Sequence, residues 1–384
     1  MKARVASVSR LRDINWDFVG ARSESEFSAL HWHPCRFVSQ IPAGLISLLS
    51  DDGDVVLDPF LGSGTTLVEA QRLKRRGVGV EINPVAAMIA SAKTIPKRQP
   101  LIKRTLQELA DLARVQLEGD LLRPRKSMPL IYPATVQMEK WYMPEVGRQL
   151  SALWALLSGL RGDSSKLGCL AFSSILIRVC RETRHWGYIC DNTMPLSSRR
   201  ADVLAEFHRS LSMIERAYAA RELYIRPGER LRPAQVINGD ALVELARLKG
   251  SVNLVVTSPP YFGVSDYAKA QRLTAEWMGA DVENVRLKEI GARSKRHRKD
   301  AYESYMDELV GVMDACREKL VYGGFCCLVV GESRSRRGYI AQLHDAMEGI
   351  GFHVVHLVER VVSEQRRQNP SILSEQIAVY RKVR

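Results

Sequence analysis

The chain has 384 residues, 46% hydrophobic and 26% charged, which is enough for one large α/β domain with an insertion or for two domains. Its formal net charge of +13 points to a polyanionic partner, because neutralising phosphates releases counterions and drives association. No apolar run reaches the roughly 20 residues of a membrane span, the opening MKARVASVSRLRD lacks the apolar stretch of a secretory signal, and the seven cysteines form no C-x-x-C pair, which argues against a disulfide framework or zinc site and for a reducing, cytoplasmic setting.

In chain order, DVVLDPF (54–60) predicts a short buried strand and GSGTT (62–66) a turn that opens a helix. LVEAQRLKRR (67–76) places Leu67, Ala70 and Leu73 on one side and basic residues toward the C-terminal end, matching the 3.6-residue period and the helix dipole. GVGVEIN (77–83) reads as a second strand, so the three segments make a βαβ unit with a parallel pair. From about residue 95 to 230 the periods are helical. Strand character returns at AQVINGD (234–240), NLVVTS (253–258), GGFCCLVVGES (323–333), FHVVHLVERV (352–361) and EQIAVYRK (375–382). The simplest α/β architecture is one seven-stranded sheet built from residues 1–94 and 231–384. Residues 95–230 then form a helical insertion between strands two and three, for target recognition or dimerisation.

Two stretches carry chemistry. In DPFLGSGTT (58–66), Gly62 and Gly64 flank the turn between a strand and a helix, where backbone can approach a ligand closely and present free N–H groups. A phosphate-clamping loop is ruled out by the missing G-K-[ST], and a dinucleotide fingerprint by the missing third glycine. Glu81 closes the second strand, where an acid can accept both hydroxyls of a ribose, and Asp240 in NGDA closes the third. Three acids at three strand ends (Asp58, Glu81, Asp240) suit a cationic, ribose-bearing, adenine-containing cofactor without a polyphosphate. The second stretch is TSPPY (257–261), where two prolines stop an apolar strand in a rigid turn carrying a hydroxyl and a phenol.

Together these stretches resemble the class I S-adenosylmethionine-dependent methyltransferases and, more narrowly, the amino-methylating DNA methyltransferases, with the motifs in unpermuted order. The resemblance implies a Rossmann-like seven-stranded fold with S-adenosylmethionine as cofactor. It implies that the backbone around Gly62 and Gly64, with Ser63, Thr65 and Thr66, holds the methionine end. Glu81 takes the ribose, Ile82 packs on the adenine, and Asp240 bonds the adenine amino group. Asp58, Pro59, Phe60 and Ala241 are counted with them, as is Phe37 in HPCRF…IP (33–42), which lines the methionine side. This segment has Arg36 where a lysine is usual.

The same resemblance makes Ser258, Pro259, Pro260 and Tyr261 the catalytic tetrapeptide. An exocyclic amine becomes nucleophilic only when acceptors hold its hydrogens so that the nitrogen can turn pyramidal. Ser258 Oγ and the Pro259 carbonyl are the candidates, with the prolines fixing that carbonyl in advance. Tyr261 offers a face for an extruded base. The sulfonium is a strong electrophile, so neither a metal nor a covalent intermediate is required. In that family Ser in the first position is typical of cytosine-N4 enzymes and Asp of adenine-N6 enzymes, which makes cytosine N4 in duplex DNA the expected target. Adenine N6, an RNA base amine, and a catalytically silent DNA-binding regulator are the alternatives. A restriction endonuclease acting on the same site is the implied partner, and monomer and homodimer stay open.

After Tyr261 about 40 residues precede the next expected helix, and they include RSKRHRK (293–299). Arg293, Lys295, Arg296, Arg298 and Lys299 are expected to contact phosphates. RSRR (334–337) and RVCRETRHWGY (178–188) are further basic or contact-like stretches, and Trp141 and Trp277 fit either a core or an interface.

Overall fold

A computed structural model describes residues 8–18, 26–34, 38–96, 100–122, 131–133, 137–181, 195, 201–225, 229–333, 338–361 and 372–383. Helix α1 (Gln40–Leu49) leads into β1 (Val55–Asp58), which Pro59 ends. Helix α2 (Thr65–Arg72) and β2 (Arg76–Glu81) complete the expected βαβ unit. The helix stops earlier than its periodicity suggests, because Lys74 adopts a left-handed φ of 67° and turns the chain into β2. Arg75, expected on the helix, is instead buried and donates to Ser50 Oγ at 2.9 Å and Asp52 Oδ1 at 2.8 Å.

Helix α3 (Pro84–Lys93) packs beneath the sheet. Then come the insertion helices α4 (Pro100–Leu122), α5 (Pro144–Leu157), α6 (Gly162–Val179) and α7 (Val203–Glu222). The remaining strands are β3 (Gln235–Asn238), β4 (Val252–Thr257), β5 (Leu320–Ser333), β6 (Phe352–Val361) and β7 (Ile372–Lys382). They form one seven-stranded sheet in the order β3-β2-β1-β4-β5-β7-β6. β1 pairs in parallel with both β2 and β4, whereas β7 is antiparallel to β5 and β6. The expected seven-stranded α/β sheet is thus the one observed.

The central strands are buried on both faces, as near-continuous apolar runs in parallel sheets are. Their side chains alternate. Leu57, Val255 and Cys326 join one core, and Val56, Leu254, Val256 and Cys327 join the other.

The insertion does not stand apart from the sheet. Leu106 and Ala110 of α4, Leu150 and Leu153 of α5, Ile175 of α6 and Phe207 of α7 share one core with Val85 and Ile89 of α3. Arg221 ties the two together. It is 5% exposed, donates to the carbonyls of Lys93 and Ile95 at the end of α3, and lies over the rings of Phe27 and Tyr218. Trp141 and Trp277 are core residues of this layer.

The stretch after Tyr261 departs from the expected irregular connection. It contains helices at Tyr267–Ala270, α8 (Arg272–Trp277) and α9 (Val282–Lys288), then a 3-10 turn at Arg293–Lys295, before the long helix α10 (Ala301–Lys319). Asp281 caps α9 through Asn284 N at 3.0 Å, and Leu273, Trp277 and Val282 anchor the short helices in the insertion's core. These apolar contacts are tertiary and leave little periodic trace in helices of six or seven residues.

Candidate functional site

The carboxyl ends of β1, β2 and β4 and the turn after β3 converge on one cavity, the place where open α/β sheets bind ligands. Of the residues expected to bind cofactor, Pro59, Phe60, Gly62, Ser63, Thr65, Glu81, Ile82, Asp240 and Ala241 line it. All four members of the tetrapeptide, Ser258, Pro259, Pro260 and Tyr261, line the same cavity. Three expected residues do not reach it. Asp58 is 1% exposed and lies behind the wall, its Oδ1 accepting from Thr257 Oγ1 at 2.6 Å and Phe60 N at 3.1 Å. Asp58 therefore ties β1 to β4 and shapes the turn. Burial holds its carboxyl at about 6 despite these bonds. Thr66 is fully buried in α2. Gly64 begins that helix with φ 88°, and a Cβ there would come within 2.8 Å of Ala90 Cβ, so this glycine serves helix packing. Phe37, with Cys35 and Arg36, lies outside the described residues, as do 334–337 and 182–188.

Glu81 joins two turns at once. Its Oε2 accepts from Gly62 N at 2.7 Å and its Oε1 from Asn83 N at 2.8 Å. Burial and the nearby Asp58 raise this carboxyl to about 7, against the lowering by its backbone donors. Asp240 caps the helix at Ala241–Arg247, accepting from Leu242 N at 2.9 Å.

The tetrapeptide turn is held from behind. Ser258 Oγ donates to Val329 O at 3.1 Å, which spends its proton and leaves its lone pairs as acceptors. The Pro260 carbonyl accepts from Tyr305 Oη at 2.9 Å. Among the described residues nothing donates to the Pro259 carbonyl. Tyr261 is 8% exposed, and its Oη donates to Glu375 Oε1 at 3.1 Å. Glu375 in turn pairs with buried Arg360, whose Nε donates to Trp16 O at 3.0 Å. The hydroxyl thus ties the ring to β7 and, through Glu375, to β6, and Tyr261 lines the cavity.

Sequence reasoning missed His33's position, Tyr267, Lys288 and Glu289, all on the cavity wall. The His33 ring stacks on Tyr267 with centroids 6.4 Å apart and sits 3.4 Å from where a Cβ on Gly62 would fall. Only HPCRF gave a signal, for His33.

The expected phosphate contacts divide. Arg293, Arg296, Arg298 and Lys299 are exposed, and Arg296 lies against Gly263, two residues past Tyr261. Lys295 is turned inward. Its Nζ donates to Leu287 O at 2.8 Å and Glu289 O at 2.7 Å, closing the C-terminal end of α9. Among the described residues no group of three or more His, Cys, Asp or Glu is arranged to hold a metal ion, and no helix is long and apolar enough to cross a membrane.

The chain is similar to several known proteins. The chain is 24% identical over 281 residues to type II methyltransferase M.MvaI of Kocuria varians, a match covering 70% of this chain and 61% of that enzyme. It is 20% identical to type II methyltransferase M.MjaII of Methanocaldococcus jannaschii, covering 78% of this chain and 71% of the relative. The crystal structure of TrmN from Thermus thermophilus aligns with 93% of this chain and 52% of its own at 11% identity and a TM-score of 0.37. The family model for DNA methylases of the N6/N4 type matches residues 7–92 and 252–384, leaving out the insertion and β3. That match takes in more than half of the chain, with the Gly62 turn, Glu81 and the Ser258–Tyr261 turn all inside it, and the chain belongs to the N6/N4 DNA methylase family.

Proposed function

We propose that this protein methylates the exocyclic N4 amine of a cytosine extruded from duplex DNA, with S-adenosylmethionine as donor. The residues present fit that cofactor. Gly62 has a left-handed φ of 53°, the buried Ser63 hydroxyl has no partner among the described residues, and the acids Glu81 and Asp240 line the rim. Ser63 and Thr65 would hold the methionine end, Glu81 the ribose hydroxyls, and Ile82, Asp240 and Ala241 the adenine. The bound cofactor supplies an electrophilic methyl group on a cationic sulfur.

The observation that carries the reading is the division of labour among three neighbouring oxygens. The Pro260 carbonyl is occupied by Tyr305, whereas among the described residues nothing donates to the Pro259 carbonyl and Ser258 Oγ keeps its lone pairs, and both residues line the cavity. Two acceptors on a rigid turn can hold both hydrogens of an amino group and free its lone pair, at no reorganisation cost when the base arrives. Tyr261 stacks on the extruded base, its ring held by Glu375. Serine in the first position supports cytosine over adenine, and the exposed Arg293, Arg296, Arg298 and Lys299 would position the duplex by its phosphates. The biological setting is then site marking beside a restriction endonuclease of the same sequence.

The test is Tyr261→Ala. Methyl transfer to DNA should fall by about 100-fold or more, as loss of base stacking worth ~1–3 kcal/mol combines with misplacement of the base. Cofactor affinity measured by calorimetry should stay within about threefold, below ~0.7 kcal/mol. A parallel collapse of cofactor affinity would assign the tyrosine to the wrong ligand.

A further inference from the structure

Four carboxyl groups gather at or behind the cavity, and three of them are committed. Asp58 faces away from it. Each oxygen of Glu81 accepts a backbone N–H, and Asp240 caps a helix. Glu289 differs. It is 4% exposed and lines the cavity, and its Oε1 accepts from Ala268 N at 2.5 Å, while its Oε2 has no hydrogen-bond partner among the described residues. A buried carboxylate oxygen without a partner is costly unless a ligand completes it. The residue is also built in place. Lys295 clamps its backbone carbonyl, and Ala268 fixes the orientation of its side chain.

We propose that Glu289 is a cofactor-binding residue, its Oε2 accepting a hydrogen bond from the ammonium group of the methionine moiety. The inference rests on the cofactor assignment above and adds a contact that the motifs do not supply. The order of elements along the rim selects the ammonium. Asp240 follows β3, Glu81 follows β2 and the Gly62 turn follows β1, so adenine, ribose and methionine run in that direction toward β4. Glu289 belongs to the segment that packs beside the turn after β4, where Gly263 N donates to Gly291 O at 2.9 Å. The tail's two cationic centres lie at this end, and of these only the ammonium has hydrogens to donate. Burial, with Asp266 and Glu81 as negative neighbours and Lys295 opposing them, raises the Glu289 carboxyl to about 8. A cationic ligand beside this carboxyl would favour its ionised form.

The experiment is calorimetric titration of the full chain and its Glu289→Gln variant with two ligands. These are S-adenosylhomocysteine, which carries the ammonium, and 5′-deoxy-5′-methylthioadenosine, which has the same nucleoside without the amino-acid tail. Glutamine keeps the acceptor for Ala268 and replaces the free oxygen with a donor. The expected result is a loss of about tenfold or more for S-adenosylhomocysteine, the size of a hydrogen bond to a charged group, with the truncated ligand changed by less than about twofold. Glu289→Asp, which keeps the charge but withdraws it by one methylene, should show the same selectivity in smaller degree. Equal losses for both ligands, or none, would overturn the proposal. If the unaltered chain bound neither ligand, the cofactor assignment itself would fall. Tight binding by the unaltered chain with unchanged affinity in both variants would overturn the Glu289 contact alone.

Discussion

Glu81 and Glu289 show how one residue type in one cavity takes different parts. Both carboxyls lie above their ordinary 4.5, at about 7 and about 8, chiefly because burial penalises the charged form. In the free protein the folded state therefore holds these protons longer than the unfolded chain, and stability falls as pH rises from about 4.5 through about 8. Glutamine at 289 mimics the protonated form. The melting temperature of Glu289→Gln minus that of the unaltered protein should thus be near zero at about pH 4, increasingly positive from about pH 4.5 to about pH 8, and level above that. A difference that stays flat across that window would contradict the buried acid. Saturating cofactor should shrink the difference, because its positive charge stabilises the ionised carboxylate. At this scale the sequence was legible where a residue sits inside a motif with a backbone reason for it. Gly62, Glu81 and the tetrapeptide are of that kind. Asp58 was misread because strand alternation cannot tell a wall residue from one bonded behind it to Thr257. Glu289 was missed because it reaches the cavity through the fold of three short helices, 28 residues beyond Tyr261.

Among elements, the segment 262–300 carries the most consequence. Phe262, Tyr302 and Tyr305 cluster under it, and Ser294 N and Oγ both donate to Asp266 Oδ1, so the basic 293–299 run is presented on a folded support. The run was read from the sequence as a uniform phosphate-binding patch, and the structure divides it. Arg298 and Lys299 are exposed, whereas Lys295 closes a helix end. Charge runs announce themselves in a sequence, but which member turns inward depends on carbonyls that only the folded helix α9 brings together. Removing a phosphate contact should lower the slope of log affinity against log salt by about 0.9 for duplex DNA. Arg298→Ala should show this change with an unaltered melting temperature. Lys295→Ala should leave the slope as it is and lower the melting temperature. Equal salt slopes for Arg298→Ala and the parent would remove Arg298 from the DNA interface.

For the whole molecule, the seven strands were legible because parallel strands buried on both faces write continuous apolar runs, and Pro59, Pro259 and Pro260 mark where two of them end. The helical insertion was legible as helices but not as to where they dock. Arg221 over Phe27 and Tyr218 and the shared core with α3 make it a buttress for the side of the sheet that carries β2 and β3. The carboxyl ends of the strands and the 262–300 segment line one cavity, and the Gly62 turn and the Ser258–Tyr261 turn both belong to its wall. That shared wall is the physical content of the functional proposal. It is tested most directly by incubating the protein with methyl-labelled S-adenosylmethionine and duplex plasmid DNA, digesting the DNA to nucleosides and identifying the labelled product by mass. The account predicts label in N4-methyl-2′-deoxycytidine, and label in N6-methyl-2′-deoxyadenosine, or none in DNA, would contradict it.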